Sequence, residues 1–202
     1  MPIIDKRVVR FNMRQIPANT LNNTGAEEFL GSKIPANPLT YPSQTHQWLP
    51  PLLAVYKVNW DSAVDKVHCK VGIGAIFRDW EGRVIACMRM CRPIHLDPYL
   101  VEAFGALQSA IMAVDIGLKH IYLEGDALNV INDINGNKES WGQTGLLVHD
   151  VQQVMKRFDS TTVNFIPRSC NNLAHCLAKD ALNVVDILVN LEDVPSYITS
   201  LL

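Results

Sequence analysis

The chain has no excess of basic charge: 18 Lys and Arg stand against 20 Asp and Glu, for a formal net charge of −2. Proteins that hold nucleic acid by electrostatics alone carry a basic stripe, so that class is disfavoured. An enzyme that brings its own metal ions to a polyanion is not. No run of apolar residues could span a bilayer, and no signal-type apolar core follows Met-Pro-Ile-Ile-Asp-Lys-Arg. These absences predict a nuclear or cytosolic protein without membrane contact. The five cysteines (Cys69, Cys87, Cys91, Cys170 and Cys176) are an odd set with no Cys-x-x-Cys pair. They read as reduced, mostly buried thiols rather than a disulfide framework or a zinc site. There is no internal repeat and no low-complexity tract.

What the chain does have is material for a core: 48% of its 202 residues are hydrophobic. That suits one domain with an extension. Seven of the eleven prolines precede residue 52, mixed with Asn19, Asn22, Asn23, Gly25 and Ser32. Residues 1–46 therefore read as an irregular Pro- and Asn-rich arm or linker, with a short helix suggested around 25–30. Residues 47–202 read as the domain, with a monomer as the default expectation.

From residue 55 the pattern becomes regular. Strands are expected at 55–61, 71–78 and 83–90, the last two joined by Asp79-Trp80-Glu81-Gly82, where Gly82 suits a positive φ. Asp97-Pro98 is a helix start, with Asp as N-cap and Pro at the first helical position. Val101, Phe104, Leu107, Ile111 and Val114 then recur at spacings of three and four, predicting a buried stripe. A strand at 120–124, helices at 126–135 and around 147–158, a strand at 161–167 and a long helix at 171–188 complete the order. Three meander strands followed by alternating units predict an α/β fold with a mixed five-stranded sheet, first antiparallel and then parallel, flanked by helices.

Three acids sit at the ends or starts of these elements. Asp61 ends Val-Tyr-Lys-Val-Asn-Trp-Asp, Glu102 falls in the first turn of the expected helix, and Asp126 follows Ile-Tyr-Leu-Glu-Gly. Carboxylates in such apolar frames are costly unless a positive charge neutralises them. Mg²⁺ takes a few carboxylates and keeps other positions for water and phosphate, so a shared divalent cation is the natural reading. Read singly, Asp126 could be a turn or N-cap residue and Glu102 a complement to the helix dipole.

Five motifs in order carry a resemblance. They are Lys57-Val58-Asn59-Trp60-Asp61-Ser62-Ala63; Gly72-Ile73-Gly74-Ala75-Ile76-Phe77-Arg78-Asp79 with Gly82; Glu102-Ala103-Phe104-Gly105-Ala106-Leu107; Glu124-Gly125-Asp126-Ala127; and the run Pro167 to Ala178. Together they resemble the ribonuclease H family, in the retroelement-type (reverse-transcriptase-like) form abundant in plants. The resemblance covers residues from about 47 onward. It implies a ribonuclease H-like fold and a two-metal endonuclease that cuts the RNA strand of RNA–DNA hybrids, leaving 5′-phosphate and 3′-hydroxyl ends. Asp61, Glu102, Asp126 and His175 take the catalytic and metal positions. Two Mg²⁺ ions, with Mn²⁺ as a substitute, are the implied cofactors. Ser62, Arg168 and Asn171 are the implied substrate contacts.

His175 stands where many relatives have a fourth carboxylate. Neutral imidazole brings no negative charge and suits transition metals better than Mg²⁺. Ser62 replaces a frequent glycine. Between Pro167 and Asn171 there is no flexible histidine loop, and His149 falls on a helix. Between Asp126 and Thr161 there is no basic, Trp-rich protrusion, leaving Lys156, Arg157 and Arg168 as the nearest basic side chains. Asp180 is more than a helical turn beyond His175. Two readings stay open: an active nuclease, or a weakly active or inactive nucleic-acid-binding module derived from a retroelement.

Overall fold

The computed structural model describes residues 8–9, 47–93, 97–136 and 142–202. The suggested helix near 25–30, like the rest of the arm apart from 8–9, lies outside the described residues. In chain order the elements are β1 (Val8–Val9), β2 (Tyr56–Asp65), β3 (Lys70–Arg78), β4 (Val84–Arg92), α1 (Pro98–Asp115), β5 (His120–Gly125), α2 (Leu128–Asn135), α3 (Gln143–Met155), β6 (Ser160–Phe165), α4 (Asn172–Ala181) and β7 (Ile187–Leu191). They form one mixed sheet in the order β1-β7-β4-β3-β2-β5-β6. The meander β2-β3-β4 is antiparallel, and β5 and β6 add parallel strands beyond β2, as expected.

Two strands exceed the expected five. The predicted last helix stops at Ala181, and Ile187–Leu191 pairs antiparallel with β4 instead. Ile187, Val189 and Asn190 are buried there, so an exposed sheet edge outcompetes helical continuation. Asp186, with φ 65°, turns the chain into that strand. Val8 pairs with Asn190 and Val9 with Val189 of β7.

α1 begins as the sequence predicts, with Asp97 accepting from the backbone N–H of Tyr99 (2.9 Å) and Leu100 (3.1 Å). Its buried face shares Val101 and Leu107 with the expected stripe and extends from them over smaller residues. Ala103, Ala106, Ser109, Ala110 and Ala113 are fully covered together with Val101, Leu107 is buried, and Phe104, Ile111 and Val114 are half-buried at the margins. Small side chains let the helix axis approach the sheet closely, and the larger ones fill the flanks.

The helices divide between the sheet's faces. The α1 face holds the main core, including Val58, Trp60, Ile73, Leu123 and Val151. On the opposite face α4 covers a smaller cluster of Ile76, Cys87, Leu173, Leu177 and Ile198. A Cβ on Gly74 would lie 2.1 Å from the Ala178 backbone nitrogen, so α4 rests directly on the β3 backbone. Gly82, with φ 81°, makes the β3–β4 turn possible.

Candidate metal and nucleic-acid site

Strand alternation builds the site on the α4 face. Val58 and Trp60 enter the α1 core, so Lys57, Asn59 and Asp61 point to the other side. Asp61 is 0% exposed. Its Oδ1 accepts from the Ser62 backbone N–H at 2.8 Å, and its Oδ2 lies 2.7 Å from His175 Nδ1. Asp126 follows the end of β5, and the cap of α2 is Ala127 with no side-chain bond, so Asp126 is not an N-cap. Glu102 is the fifth residue of α1 and lies past its first turn, which removes the helix-dipole reading.

Asp61, Glu102 and Asp126 each present an oxygen, and these atoms lie within 4.8 Å of one another. Glu102 Oε2 is buried without a hydrogen-bond partner. Burial pushes the Glu102 carboxyl up to about 8; a hydrogen bond from the Ser62 side chain opposes this, and the charges of Asp61 and Asp126 reinforce it. Burial also raises the Asp61 carboxyl, helped by Asp126 and opposed by Arg168, the Ser62 N–H and His175. Three converging carboxylates and an orphaned buried oxygen fit a hard divalent cation, which takes oxygen donors.

Arg168 closes the mouth of this cluster. Its side chain is 55% exposed, and its Nη1 lies 2.8 Å from Asp126 Oδ2 and 3.6 Å from Asp61 Oδ1. Its Nη2 lies 2.6 Å from His175 Nδ1. That nitrogen accepts when it serves Arg168 and carries the proton when it serves Asp61. Asn171 is 1% exposed. Its Nδ2 donates to the Trp60 carbonyl at 2.8 Å and reaches Asp126 Oδ1 at 3.4 Å. Beside Glu102, an open groove of about 290 Å³ runs between the starts of α1 and α2, lined by Pro98, Tyr99, Ala127, Leu128, Asn129 and Val130.

All seven residues singled out from the sequence thus meet at one place. Other candidates lie elsewhere. Asp180 pairs with Arg89 at 2.7 Å, Lys156 and Arg157 are exposed beyond α3, and His149 contacts Gln153 on α3. Glu124 does not join the acids. It is 1% exposed, with Oε1 3.0 Å from Lys57 Nζ and Oε2 accepting from Asn59 Nδ2 at 2.9 Å. Burial lowers the Lys57 ammonium below the ordinary lysine value, and Glu124 opposes that shift. Sequence reasoning passed over this network. Its signal was the alternation of Lys57, Asn59 and Asp61 on one strand face.

Residues 59–181, more than half of the chain, match the family described as reverse transcriptase-like. The chain belongs to that family. The matched span contains all seven site residues. Solved structures similar to this reverse transcriptase-like domain include the RNase H1 of the archaeon Halobacterium salinarum, with TM-score 0.59 and 19% identity over 64% of this chain and 98% of that one. The N-terminal RNase H domain of a Mycobacterium tuberculosis protein, solved as a maltose-binding-protein fusion, gives TM-score 0.57 and 20% identity over 64% and 94%. An RNase H1 designated LC11, solved in complex with RNA/DNA hybrid, gives 0.56 and 14% over 63% and 96%. These likenesses establish the ribonuclease H-like fold. No curated protein matches the chain. Among the described residues no helix is long and apolar enough to cross a membrane.

Proposed function

We propose that this reverse transcriptase-like domain is a divalent-metal-dependent endonuclease that hydrolyses the RNA strand of RNA–DNA hybrids. The observation that carries the reading is the convergence of Asp61, Glu102 and Asp126, from three separate elements, within 4.8 Å of one another. Those three carboxylates would hold the metal, with His175 at a fourth position. When bound, Mg²⁺ or Mn²⁺ would supply the Lewis-acid field that activates water and steadies the departing oxygen.

The remaining work falls to the chain. The Ser62 backbone N–H and the His175 ring hold the two oxygens of Asp61 in fixed directions. Arg168, exposed at the rim, swings from the acids to a scissile-strand phosphate, where a guanidinium matches two oxygens at once. The open groove beside Glu102 admits an extended polymer rather than enclosing a small molecule. Selection for RNA comes from contacts to 2′-hydroxyls, the groups DNA lacks.

A second reading has one observation in its favour: Arg168 and His175 already partner Asp61 and Asp126. On that reading the domain binds nucleic acid without cutting it. The deciding experiment is cleavage of a labelled RNA–DNA hybrid with Mg²⁺ and separately with Mn²⁺, comparing wild type with Asp61→Asn. Cleavage that disappears in the variant supports the nuclease. Folded wild type that cuts with neither metal favours the binding module.

A further inference from the structure

The parallel pairing of β2 with β5 runs from Tyr56↔Ile121 to its last rung, Asn59↔Glu124. Two residues beyond that rung on each strand stand Asp61 and Asp126. Side chains lock the same rung. Glu124 receives Asn59 Nδ2 on one oxygen at 2.9 Å and Lys57 Nζ on the other at 3.0 Å. Asn59 Oδ1 accepts from Arg78 Nη2 at 2.7 Å and from Trp48 Nε1 at 3.0 Å. Lys57 Nζ also donates to the Leu49 carbonyl at 2.8 Å, and the Arg78 guanidinium lies 3.4 Å over the Trp48 ring. The clamp therefore ties β2 to β5, to β3 through Arg78, and to the segment that precedes the sheet.

Such a network is an odd choice for stability alone. A buried ion pair gains little over apolar side chains of similar volume, because desolvation offsets the attraction. What it gives is geometry: directional bonds at a fixed register. Beyond the Asn59↔Glu124 rung β2 and β5 are no longer paired to each other, so the side-chain clamp is the last direct tie between the two strands before Asp61 and Asp126.

We propose that Lys57, Asn59 and Glu124 are positioning residues that fix the separation of Asp61 and Asp126 and so set the domain's affinity for a divalent cation. The proposal rests on the metal-site reading above and adds a determinant outside the ligands. Partners of metal ligands typically govern 10–100-fold in affinity or activity.

The test is titration of Mn²⁺ alone, by calorimetry and by metal-induced thermal shift, on wild type, Asp61→Asn and the double variant Lys57→Met/Glu124→Met. The double variant replaces the pair with apolar chains and is expected to fold, with a metal-free melting temperature close to wild type. Its Mn²⁺ affinity should fall about tenfold or more. Cleavage of a labelled hybrid should lose kcat in the same proportion with KM unchanged. A folded double variant that binds Mn²⁺ like wild type overturns the positioning role. Should it fail to fold, Asn59→Ala, which keeps the Lys57–Glu124 pair, decides by the same affinity criterion. A wild type that binds no Mn²⁺ and melts like Asp61→Asn in its presence overturns the metal-site reading itself, a separate and recognisable failure.

Discussion

Nδ1 of His175 stands 2.7 Å from Oδ2 of Asp61, joining side chains 114 residues apart in sequence. On the proposed metal-site reading, an imidazole at this position would bring no fixed negative charge to a cation, which would favour Mn²⁺ over Mg²⁺. His175→Asp should move activity and metal-induced stabilisation towards Mg²⁺. Parallel Mg²⁺ and Mn²⁺ titrations of both proteins would show this, and an unchanged Mg²⁺/Mn²⁺ ratio would remove His175 from the metal's surroundings.

Arg168 acts as a tethered counter-charge for Asp61 and Asp126. Removing it leaves those carboxylates facing each other. Because the guanidinium is largely exposed, its loss should destabilise the metal-free protein by no more than about 1 kcal/mol. In Arg168→Ala the melting temperature without metal should fall, while the rise on adding Mn²⁺ should grow beyond that of wild type. Hybrid cleavage should show a higher KM, reflecting the lost phosphate contact. A metal-induced rise equal to or smaller than wild type would contradict the competition between guanidinium and cation.

Glu102 keeps its proton in the folded chain up to about pH 8, against 4.5 for an ordinary glutamate. Between those values the folded state holds the extra proton, so raising the pH costs stability. Urea denaturation in a chelator at pH 5, 6, 7 and 8 should show stability falling by up to about 1.4 kcal/mol per pH unit through this window. Burial raises the Asp61 carboxyl in the same direction. Glu102→Gln should flatten the fall. The stabilisation conferred by Mn²⁺ should grow with pH over the same range, since the cation prefers the ionised carboxylates. A flat chelator profile in wild type would mean that Glu102 is already ionised.

Gly74 has no room for a side chain, its added Cβ falling 2.1 Å from Ala178 N and 2.5 Å from Ala174 O. Both atoms are backbone, so relief requires moving α4. Gly74→Ala should cost about 3 kcal/mol or more by urea denaturation, at or above the upper end for overpacking. Because α4 carries His175, metal affinity should weaken along with stability. A loss below about 1 kcal/mol would show that α4 lifts from the sheet easily.

Much of this architecture was legible because local signals agreed. The alternation in residues 55–61, the Asp97-Pro98 start and the Gly82 turn each correspond to an observed element. β7 was not legible: Ile187–Leu191 follows a helix in a tail of mixed polar and apolar residues with no turn dipeptide to mark a strand, and the open edge of β4 is what makes it one. The small-residue part of the buried face of α1 escaped for a related reason. Large apolar residues mark a stripe in sequence, but close approach to a sheet is made by alanines, which carry little hydrophobic signal. The meeting of the three acids and His175 was legible, because each stands in a motif. The engagement of Glu124 by Lys57 and Asn59 could not, since the register of two parallel strands 65 residues apart is not written in either strand.

The seating of α4 on Gly74 also governs when Asp61 gains its cover. The chain makes β2 early, and Arg168 and His175, the partners of Asp61, emerge from the ribosome more than 100 residues later. At ordinary elongation rates that interval is on the order of ten seconds. For that time the sheet's second face is bare and its aspartate faces water, which a carboxylate tolerates far better than a hydrophobic patch would. A nascent chain stalled before residue 168 would carry β2 to β6 and the three acids but lack Arg168 and α4, leaving the sheet's second face open to chaperones until that helix docks.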